Sequence, residues 1–513
     1  MDAPILSTIK AVAAETQAVA NGAHHIDAKA TNSAAARKDY VARIPIYPKL
    51  VHGQFRFLKW LGMAIMLGLY YALPWIRWDR GANVPDQAVL LDLMRERFYF
   101  FWIEIWPQEV YYLTGLLILA SLLLFLVTAL FGRIWCGYAC PQTVWTDLFI
   151  MVERLIEGDR GERIRLDKSP WTLDKIGKRI TKHFAWVLIA AMTGGAWIFY
   201  FHDAPTLAAT LFQGTADTTA YLFLGIMTFT TYWFAGHMRE QVCTYMCPWP
   251  RIQAALVDRD TLMVTYRYDR GEPRGPHKKG QSWEGRGHCI DCNQCVAACP
   301  MGIDIRDGEQ LECINCALCI DACNDVMKRV GLPRGLIAYD SPHNIQCRID
   351  GQKAQMHLFR PRVILYAAVL IAVAGVMVFG LSTRATIDVN VLRDRNPTFV
   401  RLADGAIRNA YTVKVMNRAT VTRTLELTID APQGFFVKVV GLPTDHLPAA
   451  IEVPGDRLRT LRVLVTVPQT SLARSSLPIH FSLTDVASKE MHTTHTVFLS
   501  EDEDSETEDE EDK

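Results

Sequence analysis

Twelve of the thirteen cysteines stand at spacings that suit metal and electron chemistry. Eight lie in two runs, Cys289-x2-Cys292-x2-Cys295-x3-Cys299-Pro300 and Cys313-x2-Cys316-x2-Cys319-x3-Cys323. This is the bacterial ferredoxin spacing, in which three thiolates of a run hold one [4Fe-4S] cubane and the fourth reaches the other cluster. The pattern assigns Cys289, Cys292, Cys295 and Cys323 to one cubane, and Cys313, Cys316, Cys319 and Cys299 to the second. Wrapping three sulfurs round one face of a cube requires a loop. Structural zinc is the alternative, but zinc ribbons use pairs of C-x2-C rather than triplets with a fourth cysteine. Asn324 follows the second run where Pro300 follows the first, and this departure removes no ligand. Two clusters side by side make a one-electron relay.

The other four cysteines form an internal repeat, Cys136-Gly-Tyr138-Ala-Cys140-Pro141 and Cys243-Thr-Tyr245-Met-Cys247-Pro248. Both read C-x-Y-x-C-P, and each follows an apolar stretch and precedes a surface-helix pattern at 144–156 or 252–257. In a helix the i, i+4 spacing puts both sulfurs on one face. The proline fits a helix that breaks or ends there. One soft pair suits Cu(I), and four sulfurs together suit tetrahedral iron or zinc. A pair also suits disulfide cycling, and buried cysteines that only pack against small neighbours are the plainest reading. Duplicated membrane units commonly face one another across a pseudo-symmetry axis, which would bring the pairs together beside the ferredoxin insert. His183 and His237 fall at the same membrane edge and read first as solvated interfacial groups, with metal ligation the sharper alternative. Cys347 stands alone as a spare thiol.

These residues need a membrane scaffold. Uncharged runs at 60–76, 110–131, 184–201, 218–237 and 363–382 are long enough to cross a bilayer. An aromatic stretch at 97–106 reads as a short interfacial helix, with Glu104 and Glu109 solvated at the outer surface. Residues 385–500 change to short alternating runs punctuated by Pro, Gly, Asp and Asn, the pattern of an antiparallel β-sandwich. The expected fold is a multidomain membrane protein. It combines an α-helical bundle of five transmembrane spans, a cytoplasmic ferredoxin-like insert with two [4Fe-4S] clusters, and a C-terminal immunoglobulin-like β-sandwich. Its parts are a disordered cytoplasmic arm (1–42), a four-span membrane domain with both CxYxCP motifs (43–257), the iron–sulfur domain (258–350), the fifth span (351–384), a periplasmic sandwich (385–500) and an acidic tail (501–513).

The formal net charge of zero hides an asymmetry, because the tail holds ten acidic groups and one lysine and leaves the rest of the chain basic. That excess sits in loops beside the spans, so it reads as topology in a lipid bilayer and not as nucleic-acid binding. The loop at 202–217 has no lysine or arginine, whereas 132–182 and 238–362 have many. Positive loops face inward, which places the N-terminus and the iron–sulfur domain in the cytoplasm of a bacterial inner-membrane, multi-pass protein and its C-terminal domain in the periplasm. With no apolar segment near the start, no cleavable signal is expected. With no Gly-rich dinucleotide loop, a separate cytoplasmic electron donor is expected.

The ordered set Trp135-Cys136-Gly137-Tyr138-Ala-Cys140-Pro141-Gln-Thr-Val-Trp-Thr-Asp147, Ile156-Glu-Gly-Asp-Arg160, Cys243-x3-Cys247-Pro248, Arg270-Gly-Glu-Pro-Arg-Gly275 and the double ferredoxin run resembles the FixG/CcoG (RdxA) family of cytochrome oxidase accessory proteins. The resemblance implies a cupric reductase, with cytoplasmic electrons passing through two [4Fe-4S] clusters to reduce Cu(II) to Cu(I) for the copper site of a cbb-type cytochrome c oxidase. It places copper, as substrate or transient ligand, at the family's membrane cysteine pairs, here Cys136, Cys140, Cys243 and Cys247. Copper chaperones or a transporter and oxidase assembly proteins are the partners it implies, and a membrane homodimer is compatible with the sequence but not specified by it. The membrane and ferredoxin halves are also similar to quinol-linked electron-transfer subunits of the NapH type, which the added sandwich disfavours. A non-enzymatic assembly scaffold is the third reading.

Overall fold

The computed structural model describes residues 18–19, 23–33, 44–81, 84–278, 280–419, 421–430, 434–442, 447–455, 457–468 and 476–500. The acidic tail and most of the N-terminal arm lie outside them. The chain forms two compact units, one running from the first described residues to Ile76 and over Gln87–Met377, the other comprising Arg77–Asp86 and the chain from Val378 onward.

Three helices among the described residues are long and apolar enough to cross a membrane: Gln54–Trp75 and Pro107–Phe131 in the first unit, and Pro361–Ser382, whose last residues belong to the second. Leu117, Leu123, Ile371 and Phe379 stand exposed on the last two, as a surface meant for lipid requires. The helix Leu173–Ile198 packs on Thr218–Thr231, and Gly194 sits so close that a Cβ there would lie 3.0 Å from the Leu224 carbonyl. The second of these helices continues as a π-helix over Tyr232–Met238.

The first span begins earlier than its apolar run, so Arg56 and Lys59 lie inside helix Gln54–Ala72 and are buried. Arg56 Nη1 meets Asp147 Oδ1 at 2.9 Å. The start of the helix is capped from a distant element. Asp321, on helix Leu318–Arg329 between Cys319 and Cys323, accepts from Arg56 N at 2.7 Å and Phe55 N at 3.4 Å. Its carboxylate satisfies otherwise unpaired N–H groups and faces the positive end of the helix dipole. A Cβ at Gly53 would lie 2.3 Å from that carboxylate, so glycine keeps the approach open. Asp321→Ala is expected to cost about 1–2 kcal/mol, the usual worth of a lost cap. A lower thermal midpoint in detergent at unchanged iron content checks it.

Two expectations are corrected here. Residues 97–106 are not an interfacial helix: Arg97–Phe100 pairs antiparallel with Val89–Asp92 and with Ile103–Ile105. Aromatic and β-branched residues on a pleated surface outweigh the short helical reading, and Arg97 bonds Glu104 across the hairpin at 3.1 Å. Glu109 is buried rather than solvated and accepts from Trp106 N at 3.3 Å.

The N-terminal arm, expected to be disordered, is docked where it is described. Ile26 N donates to Cys292 O, and Thr31 N and Asn32 N donate to Gly302 O. Asn32 Nδ2 adds a bond to Met301 O at 3.1 Å.

The second unit holds the β-sandwich. One sheet orders Phe436–Val440, Arg457–Val467, Ile407–Asn417 and Ile387–Arg393, with Val400–Arg401 pairing the start of Ile407–Asn417. The other orders Ala449–Val453, Arg423–Asp430, Ser476–Asp485 and Met491–Leu499. The pairs are antiparallel, and alternate residues such as Val413, Leu427, Val463 and Phe481 fill the core. Tyr411 is buried and donates to Val497 O at 2.9 Å.

Candidate iron–sulfur and thiol site

The ferredoxin module is framed by the antiparallel pair Met263–Tyr266 and Ile337–Asp340 and by helices Gln294–Ala298 and Leu318–Arg329. Both cysteine runs turn the same way. Asp291 and Asn293 have φ of 55° and 56°, and Asn315 and Ala317 have 52° and 60°. Asp and Asn tolerate this left-handed conformation better than other side chains. The two bends per run bring its sulfurs round to one side.

Cys289, Cys292, Cys295 and Cys323 line one void, shared with Tyr266 and Arg306. Cys299, Cys313, Cys316 and Cys319 line a second, whose wall Cys295 also touches. The first void gathers three thiols from one run and one from the other, and the second gathers three from its run with Cys299, and Cys295 at its wall, from the other; each includes a four-thiol donor set that fits a cubane. Burial pushes the Cys313 thiol up to about 11 and Cys299 up to about 12, and raises Cys295, Cys319 and Cys323 strongly. Buried thiols of this kind give up their protons only to a bound cation. Arg306 bonds Asp304, Asp291 and Asn293 beside the first void, fixing a positive charge there.

The two CxYxCP motifs converge on the second void. Cys136 lies in the short helix Ile134–Tyr138, and Cys140 immediately precedes helix Pro141–Glu157. Cys243 lies in a π-helical turn, Val242–Met246, that ends at Cys247, and Trp249–Leu256 follows. The repeat in sequence is therefore not a repeat in backbone. Cys136 packs in one apolar cluster with Ile314, Cys316 and Met301, and Cys243, Cys299 and Cys313 pack against the same cluster. The four motif thiols also stand close enough to act on one another electrostatically. Burial is the main cause pushing Cys136 up to about 11 and Cys243 up to about 12, and the neighbouring thiols add to it. Burial raises Cys140 as well, while Cys247 is exposed.

The close approach has a specific cause. A Cβ on Gly137 would lie 2.7 Å from Ile314 O and 3.0 Å from Cys316 Cα, so only glycine lets this motif touch the second ferredoxin run. Tyr138 Oη donates to Cys316 O at 3.2 Å, and Tyr339 Oη donates to Asn315 O at 2.7 Å. Cys136 Sγ lies 3.2 Å from Gln253 Oε1, which also accepts from Arg133 Nε at 3.3 Å. Of these, Gly137 and Tyr138 stood in the motif without a role, and Gln253 carried no sequence signal. In native alkylation, Cys247 is expected to react first and Cys136 last, because a buried neutral thiol is a poor nucleophile. Peptide mapping of maleimide-labelled protein checks the order.

His183 and His237 lie elsewhere in the unit, stacked with ring centres 5.8 Å apart. Tyr232 Oη is 2.9 Å from His183 Nδ1. Both histidines line a cleft of about 610 Å³ with Tyr47, Trp171, Trp186 and Arg163.

Fold and site together define a membrane protein with a two-cluster iron–sulfur module built for electron transfer, an oxidoreductase by class. Three family models match: a 4Fe-4S dicluster domain over residues 238–342, a 4Fe-4S binding domain over 113–157, and the IG-like fold at the C-terminus of FixG over 377–501. The chain is 52% identical over 480 residues to nitrogen fixation protein FixG of Rhizobium meliloti, covering 88% of this chain and 92% of that one. It is 49% identical to protein RdxA of Cereibacter sphaeroides, with 84% of this chain and 91% of that one covered. Protein RdxB of the same organism is 50% identical, with 83% and 89% covered. The chain belongs to the FixG/RdxA family. A crystal structure of a FixG-related protein from Vibrio parahaemolyticus aligns with 23% of this chain and 98% of its own, at 21% identity and a TM-score of 0.20.

Proposed function

We propose that this protein reduces Cu(II) to Cu(I) at the thiol quartet Cys136, Cys140, Cys243 and Cys247, for copper-site assembly of a cbb-type cytochrome c oxidase. In this reading Cys289, Cys292, Cys295 and Cys323 hold one [4Fe-4S] cluster, and Cys313, Cys316, Cys319 and Cys299 hold the other. The clusters, when bound, supply single electrons. The observation that carries the reading is the shared packing of Cys136 and Cys243 with Cys299, Cys313 and Cys316. A one-electron carrier and a soft-metal donor set are thereby contiguous.

The chain's own residues then do the rest. Thiolates favour Cu(I) over Cu(II), which makes the acceptance of one electron by copper easier. Buried Cys136 and half-buried Cys243 release protons as they bind copper, and exposed Cys247 is the point of entry. Gly137 and Tyr138 hold the motif against the second ferredoxin run. We place five spans in a bacterial inner membrane, with the module cytoplasmic and the sandwich periplasmic, on the loop charges. A separate cytoplasmic donor delivers the electrons.

The test is stoichiometric. Anaerobic, dithionite-reduced protein freed of excess reductant is titrated with Cu(II). The cluster EPR signal should fall as a Cu(I) chelator complex forms, one copper per electron. Clusters that stay reduced in the presence of Cu(II) would overturn the reading. The aromatic, histidine-lined cleft at His183 and His237 favours a second reading, quinone exchange of NapH type. In that case a soluble quinone, and not Cu(II), reoxidises the clusters.

A further inference from the structure

Three groups outside the cysteine sites converge at the base of the ferredoxin module. Asp260 precedes the module, His343 opens the helix Pro342–Ile349 that follows it, and His357 lies on the run into helix Pro361–Ser382. Their ligand atoms all lie within 4.8 Å of one another.

Each is placed by its own local bonds. Asp258 folds the Asp260 turn: its Oδ1 accepts from Asp260 N at 3.0 Å and from Thr261 Oγ1 at 3.0 Å. Ser341 caps the helix by accepting from Asn344 N, and His343 N donates to Arg259 O at 3.0 Å, tying the two segments together. Asn344 Oδ1 accepts from Gln355 N at 3.2 Å and so anchors the segment that carries His357.

Cys347, one helical turn beyond His343, has its sulfur 3.6 Å from His343 Nε2. His357 Nδ1 lies 3.3 Å from Asp260 Oδ1. Tetrahedral zinc with ordinary bond lengths separates an N and an S donor by about 3.5 Å, and an N and an O donor by about 3.4 Å. The separation of His357 Nδ1 from Asp260 Oδ1 matches the second value, whereas the Cys347 sulfur stands outside the converging group of three.

We propose that Asp260, His343 and His357 bind a zinc(II)-type divalent ion, with solvent as fourth donor. Two imidazoles and one carboxylate form a borderline donor set suited to such an ion and leave one position open. The site is distinct from the CxYxCP thiols and does not depend on copper reduction. Its donors come from both ends of the module and from the approach to the last span, so a bound ion would clamp the module to that span.

The experiment uses the full chain, purified anaerobically with its clusters, and zinc as the probe. Wild type and H343A/H357A are dialysed against micromolar zinc and compared by metal analysis and trypsin digestion. Wild type should hold one more zinc per chain, and zinc should slow cleavage at Lys353, an exposed residue beside the site. The variant should show no zinc-dependent protection. D260N, which keeps the side-chain shape, should weaken zinc binding by more than about tenfold. It serves as the deciding variant if the double substitution loses iron. Equal zinc content and affinity across these proteins would overturn the site and leave Asp260 and His357 a simple hydrogen-bonded pair.

Discussion

Changing both Cys136 and Cys243 to serine should lower Cu(II) reduction by the chemically reduced protein more than about a hundredfold, a loss at least as large as that from disturbing a metal's outer ligands. The same variant should keep about eight iron atoms per chain, the content of two cubanes. The two residues are the natural targets because they pack against Cys299, Cys313 and Cys316. They are also the two motif thiols that burial pushes to about 11 and about 12. A serine hydroxyl fills nearly the same space but does not ionise for a soft metal, so the loss separates copper chemistry from packing. The measurement is single-turnover Cu(I) formation with a chromogenic chelator, alongside iron analysis. Unchanged turnover would remove the motif thiols from the reaction. Lost iron would instead make the motif a structural support of the second cluster pocket.

Much of this arrangement was legible in the cysteine spacing because bonds to metals are short and directional. The crossover of Cys299 and Cys323 follows from the run pattern, and the two voids gather those same sets of sulfurs. The sandwich was legible for a similar reason: one buried face forces a period of two, as in Ile407–Asn417. What escaped depended on partners far apart in the chain. Nothing local marks Asp321 as the cap of a helix that begins at Gln54, or Gln253 as the acceptor for the Cys136 thiol. The buried carboxylate of Glu153 meets Arg163 at 2.5 Å and Arg239 at 2.9 Å, partners that hydropathy counts only as topology signals. The hairpin at Arg97–Ile105 escaped because its aromatic residues fit a membrane interface as readily as a strand. Pairing with Val89–Asp92 decides the matter, and pairing is not a local property.

The repeat shows the same limit from the other side. Identical C-x-Y-x-C-P spacing gives a broken α-helix at Cys136 and a π-turn at Cys243. Spacing specifies which sulfurs can share a metal, whereas the backbone path between them answers to what each motif packs upon. The first motif rests on the ferredoxin run through its glycine. In the second, threonine occupies the matching place, and Thr244 Oγ1 instead donates to Glu240 O at 2.9 Å and accepts from Asn32 of the N-terminal arm. The arm thus touches both the ferredoxin loop at Gly302 and the second motif.

Gly137→Val should uncouple the two halves of the site while leaving each of them formed. Already a single Cβ meets the Ile314 carbonyl at 2.7 Å and Cys316 Cα at 3.0 Å, and both neighbours are backbone of a cluster-binding loop that cannot turn aside. The branched side chain must therefore push helix Ile134–Tyr138 away, stretching the 3.2 Å bond from Tyr138 to Cys316 O. Misplacement by about 1 Å can cost about a hundredfold in a step that depends on positioning. Single-turnover copper reduction is expected to fall by that order, with iron content and Cu(I) affinity close to wild type because all four motif thiols remain. Gly137→Ala should show the same direction with a smaller fall. The split between retained copper binding and lost reduction is the informative result, since damage to the thiols alone would lower both together. Wild-type turnover in Gly137→Val would mean that electrons do not cross at this contact.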